Sequence, residues 1–262
     1  GCGGWKKRGS FAVTPIEIVL LLTVGTLSGF INTMAGGGSM LTLPALMMMG
    51  IPADIANGTN RVAVLAQSIT GAKGFDQAGQ LDRSGLAGVL LPTILGAAVG
   101  ALCASFLPNV WLKPILLVVM VMVAISLLLP KTIATKARVT SSADQRLGLA
   151  GWLSLFGAGL YGGFIQAGVG FILVAVLSGV LQYDLVRSNA LKLVCTGVFS
   201  GVALLIFAAQ GQVLWVTGGV LALGSILGAW ASVRVTIRLS ETVLRRILVI
   251  MVAISCLAAL LV

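Results

Sequence analysis

Two cations, Arg61 and Lys192, lie inside apolar stretches of the chain. Asn57, Thr59, Asn60 and Gln67 surround the first; Arg187, Ser188 and Asn189 precede the second. A cation at that depth is costly, and it marks either a pathway or a pairing. The alternative is a long side chain that snorkels to the interface. Upstream of each group the chain is broken by glycine. Gly36, Gly37 and Gly38 run into Ser39 in the first case, and Gly168 and Gly170 sit in GVG in the second. Asn32 and Gln166 stand just before the breaks, where their amides could donate to an oxyanion or cap a helix end. Three glycines let a chain re-enter in an extended form, and Ser39 is then placed to cap a short helix. The first N–H groups of such a helix are unpaired, and its dipole is positive at that end. Two such ends meeting would cradle a small anion. The competing reading is close helix packing on small residues, which suits the scattered Gly96, Gly100, Gly218 and Gly219.

Other chemistry is poorly supplied. The chain has 17 Lys and Arg against 7 Asp and Glu, and no histidine. The acids are Glu17, Asp54, Asp76, Asp82, Asp144, Asp184 and Glu241. Asp54 and Asp184 occupy matched positions at helix starts, where capping is the expected role. No Ser-His-Asp set, metal cluster or phosphate loop is present, which argues against an enzyme and against any cofactor. Cys2, Cys103, Cys195 and Cys256 have no paired spacing and read as small buried residues. A thiol relay through Cys195, three residues after Lys192, is the one enzymatic alternative. The formal charge of +10 does not point to nucleic acid, because the basic residues cluster at the ends of apolar runs and no basic helix face is interleaved with aromatics.

The elements that must position these groups are membrane helices. Of 262 residues, 58% are hydrophobic and 9% charged, with a mean hydropathy of +1.08. A soluble domain carries about 25% charged residues. Apolar runs long enough to cross a bilayer fall at 15–33, 55–73, 85–107, 111–129, 147–166, 186–208, 213–235 and 243–262. Two shorter runs, 39–49 and 171–181, reach about half the hydrocarbon thickness as helices.

The two halves echo each other. GFIN recurs as GFIQ, ILGA at Ile94 returns at Ile226, and VAIS at Val123 returns at Val252, all at an offset near half the chain. A long repeat is stronger evidence than any short motif. If each short run completes a crossing, each half crosses five times and the halves insert in opposite directions. Loop charges agree. The loop with Lys73 and Arg83 is basic where its partner AAQGQ is neutral. Arg234, Arg238, Arg245 and Arg246 answer a lone Lys113, and Arg187 answers a neutral turn at Pro52. The richer loops then share one face, which is the cytoplasmic one. Only Lys6, Lys7 and Arg8 fall on the other side. The predicted fold is therefore an all-α membrane protein of two inverted repeats, each of about five helical segments, with broken or re-entrant helices at the midplane. Its parts are a tail at 1–10, which reads as a processed or trimmed end, a first repeat at 11–130, a cytoplasmic linker at 131–146 and a second repeat at 147–262. Both termini are expected outside. Small-residue faces could pack within one chain or between two copies in a homodimer.

The segments GFINTMAGGGSMLTLPAL and GFIQAGVGFILVAVL, each followed by a polar helix start, resemble the TauE/SafE family of sulfite exporters from about Phe11 to Val262. The resemblance implies a multi-pass carrier in the bacterial inner membrane, exporting sulfite, sulfoacetate or a related organosulfonate. The residues themselves support a small anionic substrate, with lipid as surroundings and a gradient, through a coupling ion or none, as the energy source. The expected mechanism is alternating access about the paired breaks; an anion channel using the same cradle is the alternative. Candidate binding residues are Asn32, Gly36, Gly37, Gly38, Ser39, Asn57, Thr59, Asn60, Arg61, Gln166, Gly168, Gly170, Arg187, Ser188, Asn189 and Lys192.

Overall fold

A computed structural model describes residues 14–34, 36–81, 83, 86–128, 148–181 and 183–238. The N-terminal tail, the linker at 131–146 and the last apolar run at 243–262, with Arg245 and Arg246, lie outside the described residues. Within them every regular element is helical. These are α1 (Pro15–Met34), α2 (Ser39–Met48), α3 (Ala53–Gln77), α4 (Leu86–Phe106), α5 (Asn109–Leu128), α6 (Leu149–Phe164), α7 (Val169–Ala175), α8 (Leu185–Ala209) and α9 (Trp215–Arg238). A π-helical turn, Val176–Val180, extends α7.

Four described helices are long and apolar enough to cross a bilayer: α1, α4, α8 and α9. The 25-residue α3 is long enough but too polar to qualify by composition. Its polar side chains Asn57, Thr59, Asn60, Arg61, Gln67 and Ser68 are all buried in protein rather than turned to lipid. The outer surface of the bundle is the reverse. Leu91, Phe106, Trp111, Leu205, Leu227 and Trp230 are exposed on different helices. A surface of that kind is suited to hydrocarbon, and the molecule is an integral membrane protein.

Glycine sets how the helices meet. α1 packs most extensively on α9, and α4 on α6. Gly25 lies against Leu221 and Gly29 against Ser225, so α1 and α9 run parallel. Gly96 lies against Phe156 and Gly100 against Leu160, so α4 and α6 also run parallel. Each of the four helices carries two glycines four residues apart, with the neighbour's backbone where a side chain would stand. This is small-residue packing as membrane helices use it. Gly218 packs instead against the Val62 side chain, with the Thr59 carbonyl beside it. Gly219 departs from the expectation, because only open space faces it. Between these two pairs α3 and α8 cross antiparallel: Leu65 meets Gly201, Ser68 meets Gly197 and Leu193 meets Gly71.

Of the two helix starts with matched acids, one differs from the sequence reading. Asp184 does cap α8, its carboxylate accepting the Arg187 N–H at 2.9 Å. Removing that acceptor in Asp184→Ala should cost about 1 kcal/mol, read as a lower unfolding midpoint. Asp54 is not the cap of α3. Pro52 holds that position, and Asp54 sits in the first turn, accepting from the Ile55 N–H at 2.8 Å. Proline offers no side-chain acceptor, and the free N–H groups of this first turn are met by others, Asp54 N–H donating to Asn109 Oδ1 at 3.0 Å and Ile55 N–H to Asp54 itself. At the other end of α3, Arg83 and Asp76 form an ion pair at 2.6 Å. The hydrogen bond to Asp76, then its charge, raises the Arg83 pKa further above its ordinary value.

Candidate functional site

The two chain breaks meet. A Cβ on Gly36 would stand 2.3 Å from the Gly170 Cα, and one on Gly170 would stand 2.2 Å from the Gly36 Cα. The two backbones therefore touch with no side chain between them. Gly36 has φ +102 and Gly168 φ +74, values that glycine adopts freely. Gln166, at φ +67, is the non-glycine residue in this region among the described residues. Its Nε2 donates to the Ser200 hydroxyl at 3.0 Å, which fixes the second break against α8. Tyr161 adds a bond from its hydroxyl to the Ala167 carbonyl.

Ser39 does not cap α2. Gly38 occupies the cap in a helical conformation, with no side-chain cap bond. A helical φ and ψ at that position lets the turn close through backbone bonds, Met40 N–H to Gly37 and Leu41 N–H to Gly38. The Ser39 hydroxyl instead accepts from Asn60 Nδ2 at 3.1 Å, while Thr42 donates to Asn60 Oδ1 at 2.6 Å. Asn60 thus binds α2 to α3. The second short helix begins at Val169, two residues before the apolar run suggested, and finishes as a π-helical turn.

Ending α1 and α6 at breaks inside the bundle creates a physical problem. The last carbonyls of a helix have no partner within it, and hydrocarbon supplies none. The two cations answer it, each from the other half of the chain. Arg61 on α3 donates to the Gly162 and Gly163 carbonyls of α6, at 2.6 and 2.7 Å. Lys192 on α8 donates to the Asn32 and Thr33 carbonyls of α1, at 2.9 and 3.0 Å. A positive charge at the negative end of a helix is favourable, and charge-assisted bonds are the stronger kind. An asparagine steadies each cation: Asn57 Oδ1 lies 3.2 Å from Arg61, and Asn189 Oδ1 lies 3.0 Å from Lys192. Asn57 also donates to the Phe164 carbonyl at 2.8 Å. The Arg61 guanidinium stands 5.5 Å from the Phe207 ring centre, within cation–π range.

Neither cation has an anionic partner among the described residues, yet Arg61 is 0% exposed and Lys192 1%. Several donors on α1, α3 and α8 are buried and unpartnered: Arg61 Nε, Asn189 Nδ2 and Gln67 Nε2, with the hydroxyls of Thr33 and Ser68. Buried polar groups are normally satisfied, so such a concentration needs a reason.

The other candidates lie apart. Arg187 is over half exposed, paired with Asp184 at 3.3 Å. Thr59 accepts the Leu214 N–H at the start of α9, and Ser188 donates to the Tyr183 carbonyl. Cys195 is packed among Val89, Leu173 and Phe199 in an apolar cluster. Among the described residues no group of acids and cysteines is placed to hold a metal. Thr33, Ser200, Gly162 and Gly163 escaped the sequence reading. Carbonyl acceptors carry no side-chain signal, whereas Ser200 falls on the buried face of α8 at helical spacing from Lys192 and was open to that inference.

A cavity of about 470 Å³ opens where α3 and α8 cross, lined by apolar side chains with Ser68 and Lys73 as its polar members. Helices broken inside a bundle, apolar outer faces and buried cations at the breaks describe a polytopic membrane protein, and its relatives are membrane transporters. The chain belongs to the sulfite exporter TauE/SafE family, whose pattern matches residues 21–259. It is 28% identical to a probable membrane transporter protein of Haemophilus influenzae over 236 residues, covering 89% of this chain and 91% of the relative. It is 27% identical to the probable membrane transporter protein YfcA of Escherichia coli K12 over 245 residues, covering 93% and 90%. A probable membrane transporter protein, ORF9, of a Sinorhizobium species is also 27% identical, with 89% and 88% covered. No solved structure matches the chain.

Proposed function

We propose that the protein carries a small sulfur-containing oxyanion, such as sulfite or an organosulfonate, out of the cytoplasm across a bacterial inner membrane, by alternating access and without catalysing a reaction. The observation that carries this reading is the pair of buried cations without a carboxylate partner, surrounded by unpartnered donors. The donors left over, Arg61 Nε, Asn189 Nδ2 and the Thr33 and Ser68 hydroxyls among them, and a net positive charge suit a group rich in acceptors. The family's description supplies the substrate class. Arg61 and Lys192, with Asn57, Asn189 and the amides at the two breaks, are the groups that meet the anion. Inverted halves are supported by the crossed arrangement of helices. α1 pairs in parallel with α9 as α6 does with α4, and each half lends a cation to the other's broken helix. Rocking of one half against the other would strain these bonds in turn, and a bound anion would compensate the cation released.

The test is efflux of sulfite from proteoliposomes. Wild-type protein should give saturable efflux accelerated by sulfite on the far side. Lys192→Met, which keeps the volume and removes the charge, should slow it by at least about tenfold in protein that remains monodisperse. Unchanged efflux in Lys192→Met removes the cation from the pathway. Single-channel conductance in place of counterflow would make the protein a pore.

A further inference from the structure

Gln67 stands out among the buried polar residues. It is 0% exposed, and neither its Oε1 nor its Nε2 has a partner. Ser68, next to it, is equally buried with an unpartnered hydroxyl, and so is Thr33. These groups lie together. Gly71, one turn beyond Gln67 on the same face of α3, faces the Thr33 methyl, 3.3 Å from where a Cβ would sit. Ser68 backs onto Gly197 of α8 at the helix crossing, and Lys192 holds the carbonyl of the same Thr33. Arg61 lies six residues earlier on α3, about 9 Å along the axis and turned about 120° from Gln67, whereas Ser68, seven residues on from Arg61, shares its face. A neutral amide with two donors and one acceptor thus lies, in height along α3, between Arg61 and the level at which Leu193, the neighbour of Lys192, meets Gly71.

The fold itself gains nothing from Gln67 as it stands. An unpartnered buried amide is destabilising, and an apolar residue of like shape would serve the packing as well or better. We propose that Gln67, with Ser68 and Thr33, forms the hydrogen-bonding station where a small oxyanion rests between Arg61 and Lys192 at the crossing of α3 and α8. The inference rests on the anion-carrier reading and specifies where in that site the substrate is held. Nε2 and the two hydroxyls donate to the oxyanion oxygens. The amide adds hydrogen bonds without adding charge, so the anion is held but can leave.

The experiment is thermal unfolding of the full chain in detergent across a sodium sulfite titration, with sodium chloride at matched ionic strength as control. Wild-type protein should be stabilised by sulfite beyond the chloride control. Gln67→Leu should unfold without sulfite at or above the wild-type temperature, and need at least about tenfold more sulfite for the same response. Gln67→Glu, similar in shape but acidic, should lose the response altogether. Wild-type sulfite affinity in Gln67→Leu overturns the station while leaving the carrier reading intact. A sulfite-free unfolding temperature well below wild type in Gln67→Leu also overturns it, by showing that the amide supports the fold. A wild-type chain indifferent to sulfite overturns the anion reading and the station with it.

Discussion

Replacing Arg61 by methionine should lower the unfolding temperature of the purified protein by roughly 6–12 °C and abolish transport, whereas Arg61→Lys should recover most of the stability. Methionine fills much of the space and removes the donors. The Gly162 and Gly163 carbonyls at the end of α6 are then left without partners. An orphaned buried acceptor costs about 1–3 kcal/mol, so two cost about 3 kcal/mol or more. In a chain of this size, 1 kcal/mol corresponds to roughly 2–4 °C. A gain opposes this loss, because a cation no longer has to be kept from water. That cost is already reduced in the native protein by the helix end the guanidinium caps and by the Phe207 ring. The carbonyl loss should therefore win. Lysine can do much of the work, as Lys192 demonstrates by bonding two carbonyls of α1 with one ammonium. What lysine lacks is the planar, delocalised guanidinium with its five fixed donors, whose carbon stands 5.5 Å from the Phe207 ring centre. An Arg61→Met protein that unfolds with the wild type would show that the carbonyls find other donors.

The spans were readable because hydrocarbon imposes a length and a composition. α1, α4, α8 and α9 agree with the apolar runs to within three residues at each end. α3 was readable as the apolar run 55–73 despite its polar residues, and it extends two residues earlier and four later. The same arithmetic separates Arg187 from Lys192. Five residues on a helix turn through about 140°, so one reaches the surface when the other faces the interior. That distinction was available in the sequence, and treating the polar start as a single patch hid it. The partners of Arg61 and Lys192 were not available, because a backbone carbonyl more than a hundred residues away carries no residue signature. Nor was the role of Ser39, where a cap and a cross-helix acceptor look alike until Asn60 is placed beside it.

The contact between Gly36 and Gly170 yields the second large effect. Gly170→Ala should be more damaging than a surface glycine substitution by several kcal/mol, and Gly36→Ala more damaging still. The two differ in cause. Gly170 has an ordinary φ, so alanine there meets only the clash with the Gly36 backbone, and overpacking of this kind costs about 1–3 kcal/mol when neighbours can shift. Gly36 has φ +102, which adds backbone strain of about 1–2 kcal/mol to the same clash. Gly79 separates the two terms. It has φ +69 but nothing within 4 Å of an added Cβ, so Gly79→Ala should show the strain alone. Unfolding temperatures should therefore fall in the order wild type, Gly79→Ala, Gly170→Ala, Gly36→Ala. Sulfite efflux should survive only in Gly79→Ala, because the other two push the chain breaks apart at the point where the halves touch. If Gly170→Ala matched the wild type in both stability and efflux, the two breaks could not be in backbone contact in the working protein. The amides around them would then have to be removed from the proposed anion site, leaving the side chains of Arg61, Lys192 and Gln67 to form it alone.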